Sequence, residues 1–225
     1  MRIGIIGTGR IASRFADTAF AGIESAYVGC VYNPKAASAE KFAIQHRIEN
    51  YTDSLEELTM LTDAVYIASL HETHYEYAKY MLNNKKHVLC EKPAVLKKAQ
   101  ADELYSIAKE NNVVFMEAVK TAYCPGFHAM MAAAKSGKIG RIIDVEAAFS
   151  RLTPVNTREY MAQDYNGSFL EFGSYVCMPV FELLGCDYDD VRFHSMRAVN
   201  GVDAYTKAVF SFGGKSAEVK TGLGV

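Results

Sequence analysis

The chain has 225 residues, half of them hydrophobic, with 24 Lys and Arg against 26 Asp and Glu and a formal net charge of −2. That size suits one large domain or two small ones, the balanced charge offers no basic surface for nucleic acid, and no apolar run reaches the roughly 20 residues of a membrane-spanning helix. The five cysteines (Cys30, Cys90, Cys124, Cys177 and Cys186) are odd in number and scattered. They read as reduced thiols rather than a disulfide framework or a zinc site, and the sequence predicts a cytoplasmic protein.

Ile3, Ile5 and Ile6 make a short apolar strand that starts at once, leaving no signal or transit peptide before it. Gly7-Thr8-Gly9 breaks the strand, and from Arg10 the spacing of Ile11, Phe15 and Ala19 predicts a helix with those three on one face. Gly7, Gly9 and Ala12 fit the dinucleotide fingerprint G-x-G-x-x-A. The first glycine permits the tight turn, the second lets backbone approach a pyrophosphate, and the alanine allows close helix–strand packing. Amide groups of the first helical turn, at Gly9, Arg10 and Ile11, would face the phosphates, where the helix dipole favours negative charge. The plainer alternative is a glycine-rich turn with no ligand.

Residues 26–32 read as a second strand, stopped by Asn33-Pro34, and residues 35–46 as a helix with Ala39, Phe42 and Ala43 on one face. Ser54 and Glu57 have the spacing of a capping box. Residues 64–69 (AVYIAS) form a continuous apolar run, the mark of a strand buried on both faces of a parallel sheet. A helix over 73–83, a strand over 86–90, a helix over 97–111 and a strand over 113–118 continue the alternation. The pattern predicts a doubly wound α/β sheet over residues 1–118, with ligands at the carboxyl ends of its strands. After residue 118 the rhythm changes to helix 125–135, strand 141–150, a polar loop 151–167, helix 168–184, and strands 191–199, 205–212 and 216–221. That is an α+β pattern with a mainly antiparallel sheet, which sets a second domain at 119–225.

Lys92 is the leading catalytic candidate. It lies just past a strand end on the expected ligand side, and Pro93 after it disfavours helical backbone. A lysine in a semi-enclosed pocket suits proton exchange with a substrate hydroxyl; by position alone, a surface lysine in a turn is the simpler reading. Glu91-Lys92-Pro93 after HVLC, together with Gly7-Thr8-Gly9, Ala68-Ser69 followed by His74, Met116-Glu117-Ala118, Gly137-Lys138-Ile139-Gly140 and residues 166–175 (NGSFLEFGSY), closely resembles the Gfo/Idh/MocA oxidoreductases along essentially the whole chain. That family includes glucose–fructose oxidoreductase, inositol dehydrogenase and dimeric dihydrodiol dehydrogenase.

The resemblance implies a Rossmann domain for NADP or NAD followed by an α+β domain, and hydride transfer to or from a hydroxyl or carbonyl of a sugar, polyol or cyclic diol. It places Ser69, His74, Glu91 and Lys92 with the cofactor, and Lys92 with the substrate as well. On a later helix the family carries an aspartate and, four residues on, a histidine or tyrosine; those positions here read Glu171 and Tyr175. Four apart, they share a helix face. Tyr175 would take the hydroxyl proton with Lys92 stabilising the charge, or Lys92 would itself be the base. The alternative for this pair is a helix N-terminal acid beside a core tyrosine. Glu171 is longer than the family's aspartate, which puts its catalytic role in question.

Lys120 can bind substrate hydroxyls or an anionic group, or simply be solvated. His71 and His74 lack a carboxylate or thiol to complete a metal site, so no metal is expected. Asn33 stands where an NAD-selective site carries an acid, and with Arg10 and Lys35 nearby the reading leans to NADP. A small-molecule substrate and a homodimer through the second sheet follow from the resemblance, while no nucleic acid and no membrane follow from the charge balance and the absence of a long apolar run. Family members run longer, so the sequence reads as C-terminally truncated. A non-catalytic redox sensor or regulatory subunit, or an assembly partner with a vestigial site, are the competing readings.

Overall fold

A computed structural model describes residues 1–161 and 165–224, in two compact units, Met1–Ala118 and Val119–Val225. The first alternates strand and helix: β1 (Arg2–Ile6), α1 (Arg10–Thr18), β2 (Tyr27–Tyr32), α2 (Ala36–His46), β3 (Asn50–Thr52), α3 (Leu55–Leu61), β4 (Ala64–Ile67), α4 (His74–Asn83), β5 (His87–Cys90), α5 (Lys98–Glu110) and β6 (Phe115–Glu117). The strands lie in the order β3-β2-β1-β4-β5-β6, all parallel. Strand order reverses between β1 and β4, and a ligand crevice opens at the carboxyl ends of such a pair.

The apolar run at β4 follows from its position. Val65 and Ile67 join the core on one face of the sheet, and Ala64 and Tyr66 the core on the other, so a polar group there needs a partner inside the protein, as Tyr66 Oη has in Glu91. β3 has three residues, too few to show a period of two, and the sequence reading missed it. α1 also turns differently from the expectation. Ala12 is its buried residue, with Phe15 and Ala16 packed partly beside it, while Ile11 is 38% exposed. Phe15 lies stacked on Tyr66. α1 is pinned to α2 by His46, whose Nε2 pairs with Ser13 Oγ at 2.9 Å and whose Nδ1 pairs with Asp17 at 2.7 Å. Ser13 N–H donates to Gly9 O, so this Ser–His–Asp arrangement holds helices together and offers no amide to an oxyanion. At α3, Glu57 N donates to Ser54 Oγ, as the capping box requires, but the Glu57 carboxylate accepts from Thr52 Oγ1, and Ser54 N is taken by Thr52 as well.

The second unit contains α6 (Pro125–Lys135), β7 (Asp144–Ser150), α7 (Ser168–Leu184), β8 (Asp190–Arg197), β9 (Asp203–Phe212) and β10 (Lys215–Gly222). Its sheet runs β7-β10-β9-β8. β9 pairs antiparallel with β8 and β10, but β10 pairs parallel with β7, so the sheet is mixed. Val176 and Val180 of α7 cover one face through Ala208, Phe210, Ala217 and Val219. The opposite face carries a cross-strand charge ladder in which Glu218 pairs with Lys207 and Lys220, and Lys220 reaches Glu146. No helix among the described residues is long and apolar enough to cross a membrane.

Candidate active site

The glycine loop leaves β1 by a turn that only glycine fits. Gly7 has φ of +108°, and a Cβ there would sit 2.7 Å from Ala68 O. Gly9 differs: its backbone is extended, and a Cβ would meet nothing within 4 Å. The fold does not require glycine at 9, so its missing side chain leaves space open above the start of α1. No side chain caps that start and its first turn has no acid. Exposed Arg10 and the exposed apolar Ile11 flank it. These features fit a dinucleotide pyrophosphate, which would bring its charge to unspent amide groups. Asn33, at the end of β2, braces the loop: its Nδ2 donates to Thr8 Oγ1 at 2.8 Å, and its Oδ1 accepts from Lys35 N at 2.9 Å. No carboxylate stands at position 33, and Lys35 is exposed.

The turn after β5 is held from three neighbouring segments. Tyr66 Oη on β4 donates to Glu91 Oε1 at 2.5 Å. Ala94 N donates to Glu117 Oε1, at the end of β6, at 2.9 Å. His74, the first residue of α4 and fully buried, places Nδ1 2.9 Å from Pro93 O. Its Nε2 lies 3.4 Å from Ser69 O, so the ring points to backbone carbonyls within its own unit. Glu91 N donates to Ile67 O and Ala118 N to Cys90 O, extending the ladders past the strand ends. The Lys92–Pro93 peptide is cis, and Lys92 is only 9% exposed. Ser69 Oγ accepts from Thr73 Oγ1. Burial, then the charges of Glu91 and Glu117, hold the Cys90 thiol well above its ordinary pKa, so it is unreactive. The first unit thus gathers Gly7, Gly9, Asn33, Ser69, His74, Glu91 and Lys92 at the carboxyl ends of β1, β2, β4 and β5. Tyr66 was missed by sequence reasoning, and Glu117 was named only within the Met116-Glu117-Ala118 motif with no role of its own, because both sit inside apolar strand runs. Among the described residues, no three His, Cys, Asp or Glu side chains cluster to hold a metal.

In the second unit, Glu171 and Tyr175 lie one turn apart near the start of α7. The Glu171 carboxylate is mostly enclosed, with Oε2 3.7 Å from Arg158. The Tyr175 ring meets Phe149 edge-on at 5.4 Å, and Phe149 packs on Phe172 at 4.5 Å. Lys120 lies exposed on a 3-10 turn, Lys120–Tyr123. α7 starts at Gly167, whose φ of +121° and missing Cβ make room for Asp203. Asp203 Oδ2 accepts from Phe169 N at 2.9 Å, Ser168 Oγ at 2.7 Å and Thr206 Oγ1 at 2.7 Å, capping the helix from another strand.

Residues 1–119 match the model of the oxidoreductase family with an NAD-binding Rossmann fold, Gfo/Idh/MocA. Scyllo-inositol 2-dehydrogenase (NADP(+)) IolU of Bacillus subtilis is 34% identical over 96% of this chain and 68% of its own length. Trans-1,2-dihydrobenzene-1,2-diol dehydrogenase of Xenopus laevis is 29% identical over 94% of this chain and 66% of its own. The chain therefore spans about two thirds of the length of these curated relatives. Among solved structures, GenD2 from gentamicin A biosynthesis, in complex with NAD, superposes with a TM-score of 0.91 over 100% of this chain and 66% of that one, at 19% identity. KijD10, a 3-ketoreductase from Actinomadura kijaniata in complex with TDP-benzene and NADP, gives 0.84 at 24% identity over 100% of this chain and 70% of that one. With the glycine loop and the Glu91-Lys92-Pro93 turn in place, the chain belongs to the Gfo/Idh/MocA family of NAD(P)-dependent oxidoreductases, enzymes of hydride transfer at a hydroxyl or carbonyl carbon.

Proposed function

We propose that this chain interconverts a ring hydroxyl and ketone on a sugar, polyol or cyclic diol, with NADP favoured over NAD. The observation that carries the reading is the enclosed Lys92, on a turn fixed from three sides at the ligand edge of the sheet. Gly7, Thr8, Gly9, Arg10 and Ile11 hold the pyrophosphate; Asn33, Ser69, Glu91 and Lys92 line the rest of the cofactor path. Asn33 in place of an acid, beside Lys35, tolerates a 2′-phosphate, which supports the NADP preference.

The bound nicotinamide supplies a hydride acceptor. As hydride leaves the carbinol carbon, the hydroxyl oxygen must lose its proton. Tyr175 Oη, as the phenolate, takes that proton and becomes the neutral phenol, and the Lys92 ammonium steadies the negative charge. Glu171 accepts a hydrogen bond from a second substrate hydroxyl, with Arg158 beside it fixing the carboxylate, and Lys120 contacts a further hydroxyl or an anionic substituent. The reduced cysteines support a cytoplasmic setting. A homodimer would form through the open face of the second sheet, by way of the charges of Lys207, Glu218 and Lys220.

The test uses the full chain, NADP+ and scyllo-inositol. Lys92→Ala should lower turnover by about 10²–10⁴-fold, while NADPH, titrated by its fluorescence, binds within threefold of the parent affinity. Undiminished turnover would reject the lysine assignment. Saturable NADPH binding with no turnover of any polyol would favour a non-catalytic nucleotide-binding role.

A further inference from the structure

A catalytic lysine is useful only if its amine is held in place, and a four-carbon side chain does not hold itself. Here the backbone carrying it is restrained around the turn. Behind it, Glu91 is tied by its amide to Ile67 O and by its carboxylate to Tyr66. Ahead of it, Pro93 has no N–H to give, so the turn there is fixed through the Pro93 carbonyl and the Ala94 amide. These are the two groups met by His74 Nδ1 and Glu117 Oε1, each at 2.9 Å.

We infer that His74 and Glu117 are positioning residues for Lys92, acting through the Pro93 carbonyl and the Ala94 amide, and that His74 serves the site from behind the turn. The inference rests on the reading that the Lys92 ammonium steadies the charge that develops on the substrate oxygen. His74 is fully buried on the first turn of α4, so its ring meets the cofactor and substrate only by way of the segment it holds. A carbonyl oxygen only accepts, so the ring proton must be on Nδ1. Nε2 also faces a carbonyl, Ser69 O, but at 3.4 Å against 2.9 Å, so in the neutral ring the shorter Nδ1 contact takes the proton. Glu117 works in the opposite sense, as a carboxylate taking the first amide that follows the proline.

The test needs neither substrate nor cofactor. In the full chain labelled with ¹⁵N, long-range ¹H–¹⁵N correlations of the histidine rings, assigned with His74→Gln, should show His74 protonated at Nδ1. An unprotonated Nδ1 would overturn the inference in the parent protein, whatever the variants do. Site-resolved amine labelling read by mass spectrometry then tests position. Lys92, enclosed in the parent, should react at least about tenfold faster in His74→Leu, with exposed lysines such as Lys98 unchanged. In His74→Gln, whose amide can still donate to Pro93 O, labelling should return to within about twofold of the parent. Glu117→Leu and Glu117→Gln should repeat that contrast, since the glutamine oxygen can still accept from Ala94 N. Unchanged Lys92 labelling in both leucine variants would sink the positioning role. Equally faster labelling of the half-buried Lys79 and Lys86 of the same unit would reduce it to general loosening of the fold. If Lys92→Ala retained full turnover while these labelling contrasts held, the catalytic reading would fall and the positioning of Lys92 would stand.

Discussion

The starts of α1 and α7 pose one physical problem and solve it in opposite ways. Each helix follows a glycine at positive φ, Gly7 at +108° and Gly167 at +121°, and each turn presses against another part of its own unit. A helix start leaves amide groups unsatisfied and carries partial positive charge. At α7 the chain answers from within: Asp203 brings a carboxylate across from β9 to Phe169 N and Ser168 Oγ. At α1 no side chain caps the start, no acid stands in the first turn, and Gly9 leaves open space in front. A filled helix start secures the fold. An open one, beside the carboxyl ends of β1 and β4, is where a phosphate-bearing ligand belongs.

Substitution at the two glycines of the first loop breaks the comparison most sharply. Gly7→Val puts a branched side chain where a single Cβ already meets Ala68 O at 2.7 Å and demands a φ that valine avoids. The variant should lose about 3 kcal/mol or more of stability in denaturant unfolding and all measurable NADPH binding. Gly9→Ala fills space that the chain itself does not use. It should melt within a few degrees of the parent and yet bind NADPH at least about tenfold more weakly. Equal loss of stability in both variants would mean that Gly9 serves the fold rather than a ligand.

Asp203→Ala attacks the filled start. The substitution removes the acceptor of three hydrogen bonds and leaves Ser168, which is fully buried, with only Thr221 as its recorded partner. Ser168 keeps Thr221 and Thr206 keeps Ser195, so the loss is that of the cap on Phe169 N and of its carboxylate acceptor, about 1–2 kcal/mol. NADPH affinity should not move, because the cofactor loop lies in the other unit. A large fall in affinity with unchanged stability would contradict the assignment of Asp203 as a cap.

What could be read from sequence divides along the same line. Apart from the three-residue β3, the strands of the parallel sheet were legible because burial on both faces writes a continuous apolar run, as in residues 64–67. The loop glycines and the Glu91-Lys92-Pro93 turn were legible because they are contiguous. Ile11 was placed on one face with Phe15 and Ala19 by its spacing, but the face of α1 that meets the sheet carries Ala12, and Ile11 is exposed. The parallel pairing of β7 with β10 was not legible, since alternation gives a strand's faces and not its neighbour's direction. Tyr66 and Glu117 reach the lysine turn only because β4, β5 and β6 align with Tyr66 beside Leu89 and Cys90 beside Glu117. Asp203 caps a helix that begins far before it in sequence. Long-range register, rather than local chemistry, was the missing information.

The smallest effect expected is on the open face of the second sheet, where charge rather than packing is displayed. Lys207, then Lys220, hold the Glu218 carboxyl below its ordinary value of 4.5. A depressed carboxylate stabilises the folded state above its unfolded pKa, and that contribution fades as pH falls through the lower folded value. Both partners remain partly exposed, so screening keeps the effect small. Glu218→Gln should lower Tm by about 1–3 °C at pH 7 in low salt, and the gap should close below about pH 4 and shrink in 1 M NaCl. A gap that persists undiminished at pH 3 would mean that Glu218 acts through packing across β9 and β10 rather than through its charge.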